Sequence, residues 1–234
     1  MKYSRHEIII GKEGQKKLMN SWVGIVGIGG LGCVAASLLA RSGVNLVLVD
    51  RDVVSITDLH RQILFNEKDI GLNKVEKAQE CLNEANPDVK IKHHTLDLSS
   101  ENINVLKNCD LVLDCSDNLD TKFLLNKFAV KNKVPLVYGS AIKGEGYVFN
   151  ILQKGPCLNC FLEGSKNLVT CSDIGVLNYQ AIIIGSLQVS QAFKILLKKD
   201  YEKSLIRFDV DRLELLKIKI NKRKDCKVCG KNGF

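Results

Sequence analysis

The stretch that most constrains this chain runs from Val23 to Asp50: VGIVGIGGLGCVAASLLARSGVNLVLVD. Trp22 to Gly27 is a short apolar run ending in glycine, the pattern of a buried parallel strand. Gly27, Gly29, Gly30 and Gly32 follow in a Gly-x-Gly-Gly-x-Gly arrangement. Gly30 to Ser42 reads as a helix closed by Gly43, and Leu46 to Asp50 as a second strand. Glycines permit the tight turn and let backbone N–H groups approach phosphate, while the next helix offers its positive end to that anion. Asp50 ends the second strand, where a carboxylate accepts hydrogen bonds from ribose hydroxyls. The pattern predicts a nucleotide-binding βαβ unit. It does not say which nucleotide, and NAD is among the possibilities.

Downstream, helix and strand patterns alternate. Arg51 to Gly71 reads as a polar connector with a helical turn near Leu59 to Phe65. Asn73 to Ala85 and Leu119 to Lys131 read as helices, and Lys90 to His94, Cys109 to Cys115 and Val134 to Gly139 as strands. After Gly139 the pattern changes. Gly144 to Leu152 resembles an antiparallel arm, and Gly155 to Ile174 a long loop. Asn178 to Lys199 reads as one long helix, and Ser204 to Phe208 with Leu213 to Ile220 as a closing hairpin around Asp211. The expected fold is α/β: a Rossmann-like, doubly wound, mostly parallel sheet extended by antiparallel strands. Residues 1–140 form its nucleotide-binding half and residues 141–234 its substrate-handling half.

The chain of 234 residues carries a net charge of +8. Such an excess serves nucleic acid, nucleotide phosphates or an acidic protein, or is simply a lysine-rich surface. The lysines are dispersed and not interleaved with aromatic residues, which argues against a nucleic-acid groove. Met1 to Gly11 is mixed and charged, and polar residues break the apolar stretch from Ala181 to Leu197. A cytoplasmic protein without a membrane span is therefore expected.

Three constellations carry chemistry. Arg61 and Lys74 follow Asp50 at short range and suit a polyphosphate, although isolated surface cations look the same. Asp114, Asp117 and Asp120 cluster after a buried strand, where ligands sit in open sheets. An acid there can bind Mg²⁺ beside phosphates, Asp117 or Asn118 can cap the next helix, and both readings can hold for different residues. Cys157-x-x-Cys160 and Cys226-x-x-Cys229 supply four thiolates at the spacing preferred by tetrahedral Zn²⁺, with redox thiols as the alternative. Four protein ligands leave no open position, so such a zinc is structural. Cys33, Cys81, Cys109 and Cys115 read as core thiols, and Cys171 stands alone in a polar stretch.

Together, GIGGLG, VDRD, DLHRQ, Lys74, LVLDCSDN, TCSDIGVL and the two CxxC pairs resemble the MoeB/ThiF family of adenylyltransferases, bacterial relatives of ubiquitin-activating enzymes. The resemblance extends from Tyr3 to the final CKVCG. It implies a single adenylation domain that activates the C-terminal Gly-Gly carboxylate of a ubiquitin-like sulfur carrier with ATP, for thiocarboxylate formation in molybdopterin or thiamine biosynthesis. It implies that Arg61 and Lys74 contact phosphates with Gln62 nearby, that Asp50 binds ribose, and that Asp117 is an essential acid working with Mg²⁺. Arg5 matches an arginine that reaches the neighbouring subunit's ATP site, which implies a homodimer. Cys171 matches a cysteine that in some relatives carries the activated carrier covalently; in others a persulfide sulfur donor attacks the adenylate instead. Two positions depart from the family pattern. Asp58 stands where asparagine is usual, and Lys122 where arginine is frequent. A carboxylate at 58 should repel phosphates unless it binds metal or faces away. Two further readings remain open: adenylation of a peptide or small-molecule carboxylate, and a nucleotide-binding scaffold without catalysis.

Overall fold

A computed structural model describes residues 2–162 and 175–230. Its centre is one eight-stranded sheet in the order β3-β2-β1-β4-β5-β6-β7-β8. The strands are β1 (Trp22–Val26), β2 (Asn45–Asp50), β3 (Ile91–Thr95), β4 (Leu111–Asp114), β5 (Leu136–Ile142), β6 (Glu145–Ile151), β7 (Leu205–Asp209) and β8 (Glu214–Ile218). The first five pair in parallel and the last three antiparallel. Residues of β1, β2 and β4 are nearly all buried, as expected for parallel strands covered on both faces. The strand order reverses between β1 and β4, and this switch point places the ligand crevice of such sheets at their carboxyl ends.

The helices are α1 (Ser4–Asn20), α2 (Gly30–Arg41), α3 (Lys74–Ala85), α4 (Leu119–Asn132), the short α5 (Leu158–Leu162) and α6 (Asn178–Leu196). Two apolar layers separate them. Leu39, Val75 and Ile184 bring α2, α3 and α6 into one layer. Leu125, Phe128 and Ala129 bring α4 into the other, with Leu158 and the cysteine knuckles. A side chain at Gly185 would lie 2.9 Å from the Leu31 carbonyl oxygen, which is how closely α6 lies on α2. Gln188 of α6 reaches into the sheet and donates to the Asp114 and Val137 carbonyls at 2.9 and 3.1 Å. Among the described residues, no helix is long and apolar enough to cross a membrane.

Two local expectations need correction, and helix α1 adds a kink. The helical turn expected near Leu59 to Phe65 lies earlier, as a 3-10 turn at Ile56–Asp58, with a second at Glu67–Asp69. Polar capping boxes, Ser55 with Asp58 and Asn66 with Asp69, set both turns, so apolar spacing gave no sign of them. Helix α1 is kinked at Gly11, which takes φ 74°. The loop after Gly155 holds the short α5.

Candidate nucleotide site and cysteine cluster

A cavity of about 690 Å³ opens at the carboxyl ends of β1, β2 and β4. Its floor is the glycine turn. Gly27 takes φ +89°, and a side chain there would strike the Cys115 carbonyl oxygen at 2.7 Å. A side chain at Gly32 would lie 1.9 Å from the Gly27 carbonyl oxygen, so Gly32 serves the contact between α2 and the turn and does not line the cavity. Gly27, Gly29 and Gly30 do line it. Asp50 ties the turn to β2, accepting from the Ile28 N–H at 2.6 Å and the Asp52 N–H at 2.8 Å. Burial pushes its carboxyl group up, and those N–H groups oppose the shift.

The phosphate-suited residues converge. Arg61, Gln62 and Lys74 all line the cavity, together with Asp58. Lys74 opens α3, and its side chain is only 7% exposed. Its ammonium lies 3.2 Å from one Asp58 oxygen and 3.5 Å from an Asp52 oxygen. Arg61 donates to the Thr57 carbonyl at 2.7 Å and to Asp58 at 3.2 Å. Gln62 donates to Asp58 at 2.7 Å. Asp58 is thus buried and turned toward the cations.

On the β4 side, the two readings of the acidic run divide between neighbouring residues. Asn118 caps α4, its side-chain oxygen accepting from the Thr121 N–H at 2.9 Å. Asp117 takes no part in that cap. It stays exposed in the cavity wall, and its hydrogen bond among the described residues is a long 3.5 Å contact from Asn118. An exposed carboxylate in a cavity wall that also carries Arg61 and Lys74 has the chemistry to take a hard cation such as Mg²⁺. Asp114 points elsewhere. It is fully buried, pairs with Lys122 at 3.3 Å and accepts from Ser116. Lys122 also donates to the Ser116 and Gly139 carbonyls, so it braces the strand ends. Arg5 is exposed on α1 and does not line this cavity, and Cys171 lies outside the described residues.

Sequence reasoning missed Asp52 and the Arg51–Asp97 ion pair at 2.8 Å, all three lining the cavity. The Asp-x-Asp spacing of Asp50 and Asp52 at a strand end was a usable signal for the first. The second depends on β3 lying beside β2, which no local pattern reveals.

The four expected metal ligands also meet. The sulfurs of Cys157, Cys160, Cys226 and Cys229 lie within 4.8 Å of one another, with 3.7 Å between Cys157 and Cys226 and 3.4 Å between Cys160 and Cys229. A zinc–sulfur bond of about 2.3 Å gives a tetrahedral edge of about 3.8 Å, so the set suits zinc. Asn126 of α4 fixes the first knuckle, accepting from the Leu158 N–H at 2.9 Å and donating to Asn159 at 2.8 Å. At Cys226 burial opposes the thiolate, but backbone N–H groups of Cys229 and Val228 favour it more, lowering the thiol to about 7. Burial acts the other way on Cys157 and Cys229 of the same cluster, both of which are raised, and on the core thiols, where it pushes Cys33 and Cys109 up to about 12 and Cys115 higher still.

A family model described as "ThiF family" matches residues 3–228. The chain belongs to the ThiF family. It is 38% identical over 243 residues to an "Adenylyltransferase and sulfurtransferase MOCS3" of Culex quinquefasciatus, covering 99% of this chain and 55% of that protein. The protein of the same name in Drosophila willistoni is 40% identical over 242 residues, covering 98% of this chain and 53% of its own length. The chain therefore spans about half the length of the curated relatives it matches. In fold it is similar to E. coli MccB, solved with ATP, at a TM-score of 0.84 and 22% identity, covering 98% of this chain and 74% of that one.

Proposed function

We propose that this ThiF-family chain uses ATP to adenylate the C-terminal Gly-Gly carboxylate of a ubiquitin-like sulfur carrier, for thiocarboxylate formation in molybdopterin or thiamine biosynthesis. The observation that carries this reading is the convergence of the glycine turn, Arg61, Gln62, Lys74 and Asp117 on one cavity. The carrier's carboxylate oxygen attacks the α-phosphorus of ATP, the bond to the bridging oxygen breaks, and pyrophosphate leaves with that electron pair. No proton need move. The difficulty is electrostatic, because an anion must approach a polyanion. At an effective dielectric near 20, two unit charges 4 Å apart repel by about 4 kcal/mol. Arg61 and Lys74 offset that repulsion and stabilise charge on the leaving group. Asp117 would hold Mg²⁺, whose charge adds to theirs. Asp50 orients the ribose. A sulfur nucleophile, the terminal sulfur of a persulfide donor or the Cys171 thiolate, then attacks the acyl carbon, and the carbon–oxygen bond to AMP breaks with AMP leaving.

Residues 1–140 serve nucleotide binding in this reading, and residues 141–234 carrier binding and zinc. The knuckle cysteines hold Zn²⁺ as a structural clamp. Two copies pair, with Arg5 reaching the partner's site; the exposed Ile8 and Ile9 on the same helix supply apolar surface for that contact.

Carrier-dependent ATP–pyrophosphate exchange tests the proposal. Arg61→Ala and Asp117→Ala should each reduce exchange by about 100-fold or more, the usual scale for losing one charge-stabilising group. Exchange surviving both changes would refute the site. Tight ATP binding without any exchange would instead identify a nucleotide-binding scaffold.

A further inference from the structure

Among the described residues that line the cavity beside Arg61 and Lys74, Asp58 is an acid that is both buried and engaged through both oxygens. One oxygen accepts from Gln62 at 2.7 Å and Arg61 at 3.2 Å. The other accepts from the Ser55 N–H at 3.1 Å and faces Lys74 at 3.2 Å. We propose that Asp58 is a positioning residue that holds Arg61 and Lys74 in place and competes with nucleotide phosphates for their charge. The inference rests on the ATP-site reading above.

A buried carboxylate is costly unless cations and donors surround it, so Asp58 and its partners fix one another. Its geometry excludes two simpler roles. A residue serving only the capping box would need the Ser55 N–H and no more, yet Asp58 also takes side chains of three cavity-lining residues. A magnesium ligand would present open lone pairs to the cavity, whereas both Asp58 oxygens already face positive groups.

The consequence is a trade. An incoming phosphate meets cations whose charge Asp58 and Asp52 partly cancel, which weakens binding. In return Arg61 and Lys74 are already oriented, so little side-chain freedom is lost when the nucleotide binds.

Titration calorimetry with magnesium–ATP, together with exchange kinetics, should compare the wild-type chain with Asp58→Asn and Asp58→Ala. Asparagine keeps the shape and an acceptor for the Ser55 N–H while removing the charge. The ATP Kd of Asp58→Asn is expected to fall about tenfold, since one unit charge at this range outweighs such a factor. Its exchange kcat should fall several-fold, because Arg61 loses its anchor. A structural role alone would not move Kd and kcat in this split fashion. Asp58→Ala should show the same tightening with a larger loss of kcat; if it does not fold, Asp58→Asn decides. An unchanged or raised Kd in folded Asp58→Asn overturns this inference alone. A wild-type chain that binds no ATP overturns the ATP-site reading and this inference with it.

Discussion

The cavity and the cysteine cluster both gather polar groups into a confined space, but they do so by opposite means. The part of the cavity wall around Asp58 is assembled mainly from neighbours in sequence: Ser55, Thr57, Asp58, Arg61 and Gln62 lie on consecutive turns, and Lys74 joins them from the next helix. The cluster joins two knuckles 69 positions apart, Cys157 to Cys226 and Cys160 to Cys229. A locally built site can lose one side chain and keep its frame. A site closed over a long loop contributes to holding the frame together.

The largest expected difference is at the cluster. We predict that replacing Cys157 and Cys226 together with serine lowers the melting temperature by roughly 8–16 °C. That corresponds to losing about 4 kcal/mol of metal-linked stability in a chain of this size. Calorimetry of metal-loaded protein checks it, and a shift under 2 °C would remove the clamp from the comparison. The reciprocal expectation is that Arg61→Ala weakens ATP binding tenfold or more while lowering the melting temperature by no more than about 4 °C, since Lys74, Gln62 and the Ser55 N–H still hold Asp58.

Next in size is Gly32→Ala. The new methyl group would sit 1.9 Å from the Gly27 carbonyl oxygen, so the turn or α2 must shift. We expect a cost of about 1–3 kcal/mol and weakened ATP affinity together, the one change that joins the two readouts. Intact affinity would show that the turn absorbs the methyl group without moving its N–H groups.

The smallest concerns the C-terminal hairpin. The Lys217 ammonium and the Ser204 N–H hold the Glu202 carboxyl at about 2, well below its usual 4.5. A depressed carboxyl group stabilises the fold fully above about pH 4.5, and that contribution is lost as pH falls through about 2. Lys217 is 63% exposed, so solvent screening leaves the pair worth under about 1 kcal/mol. Melting curves of Glu202→Gln should run below wild type at pH 6 and converge with it near pH 2. A gap that persists at pH 2 would rule out the linkage.

Much of this architecture is legible in the residues because their patterns are local. The Trp22 to Asp50 unit appears almost residue for residue, since apolar runs and glycines mark its borders. The two CxxC pairs declare themselves by spacing, and the sulfurs do meet. The short turns around Asp58 and Asp69 were misplaced or missed because side-chain caps set them, without apolar periodicity. The role of Asp58 was illegible for another reason. Its meaning depends on Lys74 arriving from a later helix, and a lone carboxylate beside a predicted phosphate site reads only as a conflict.

The contact between Gly32 and Gly27 carries one more implication. No side chain fits between α2 and the turn, and the turn's own glycines, Gly27, Gly29 and Gly30, offer the cavity main-chain atoms alone. Amide groups of that kind greet any phosphorylated compound alike. On the proposed ATP reading, choosing one base and sugar over another therefore falls to side chains elsewhere in the cavity wall, among them Asp50, Arg51 and Asp97.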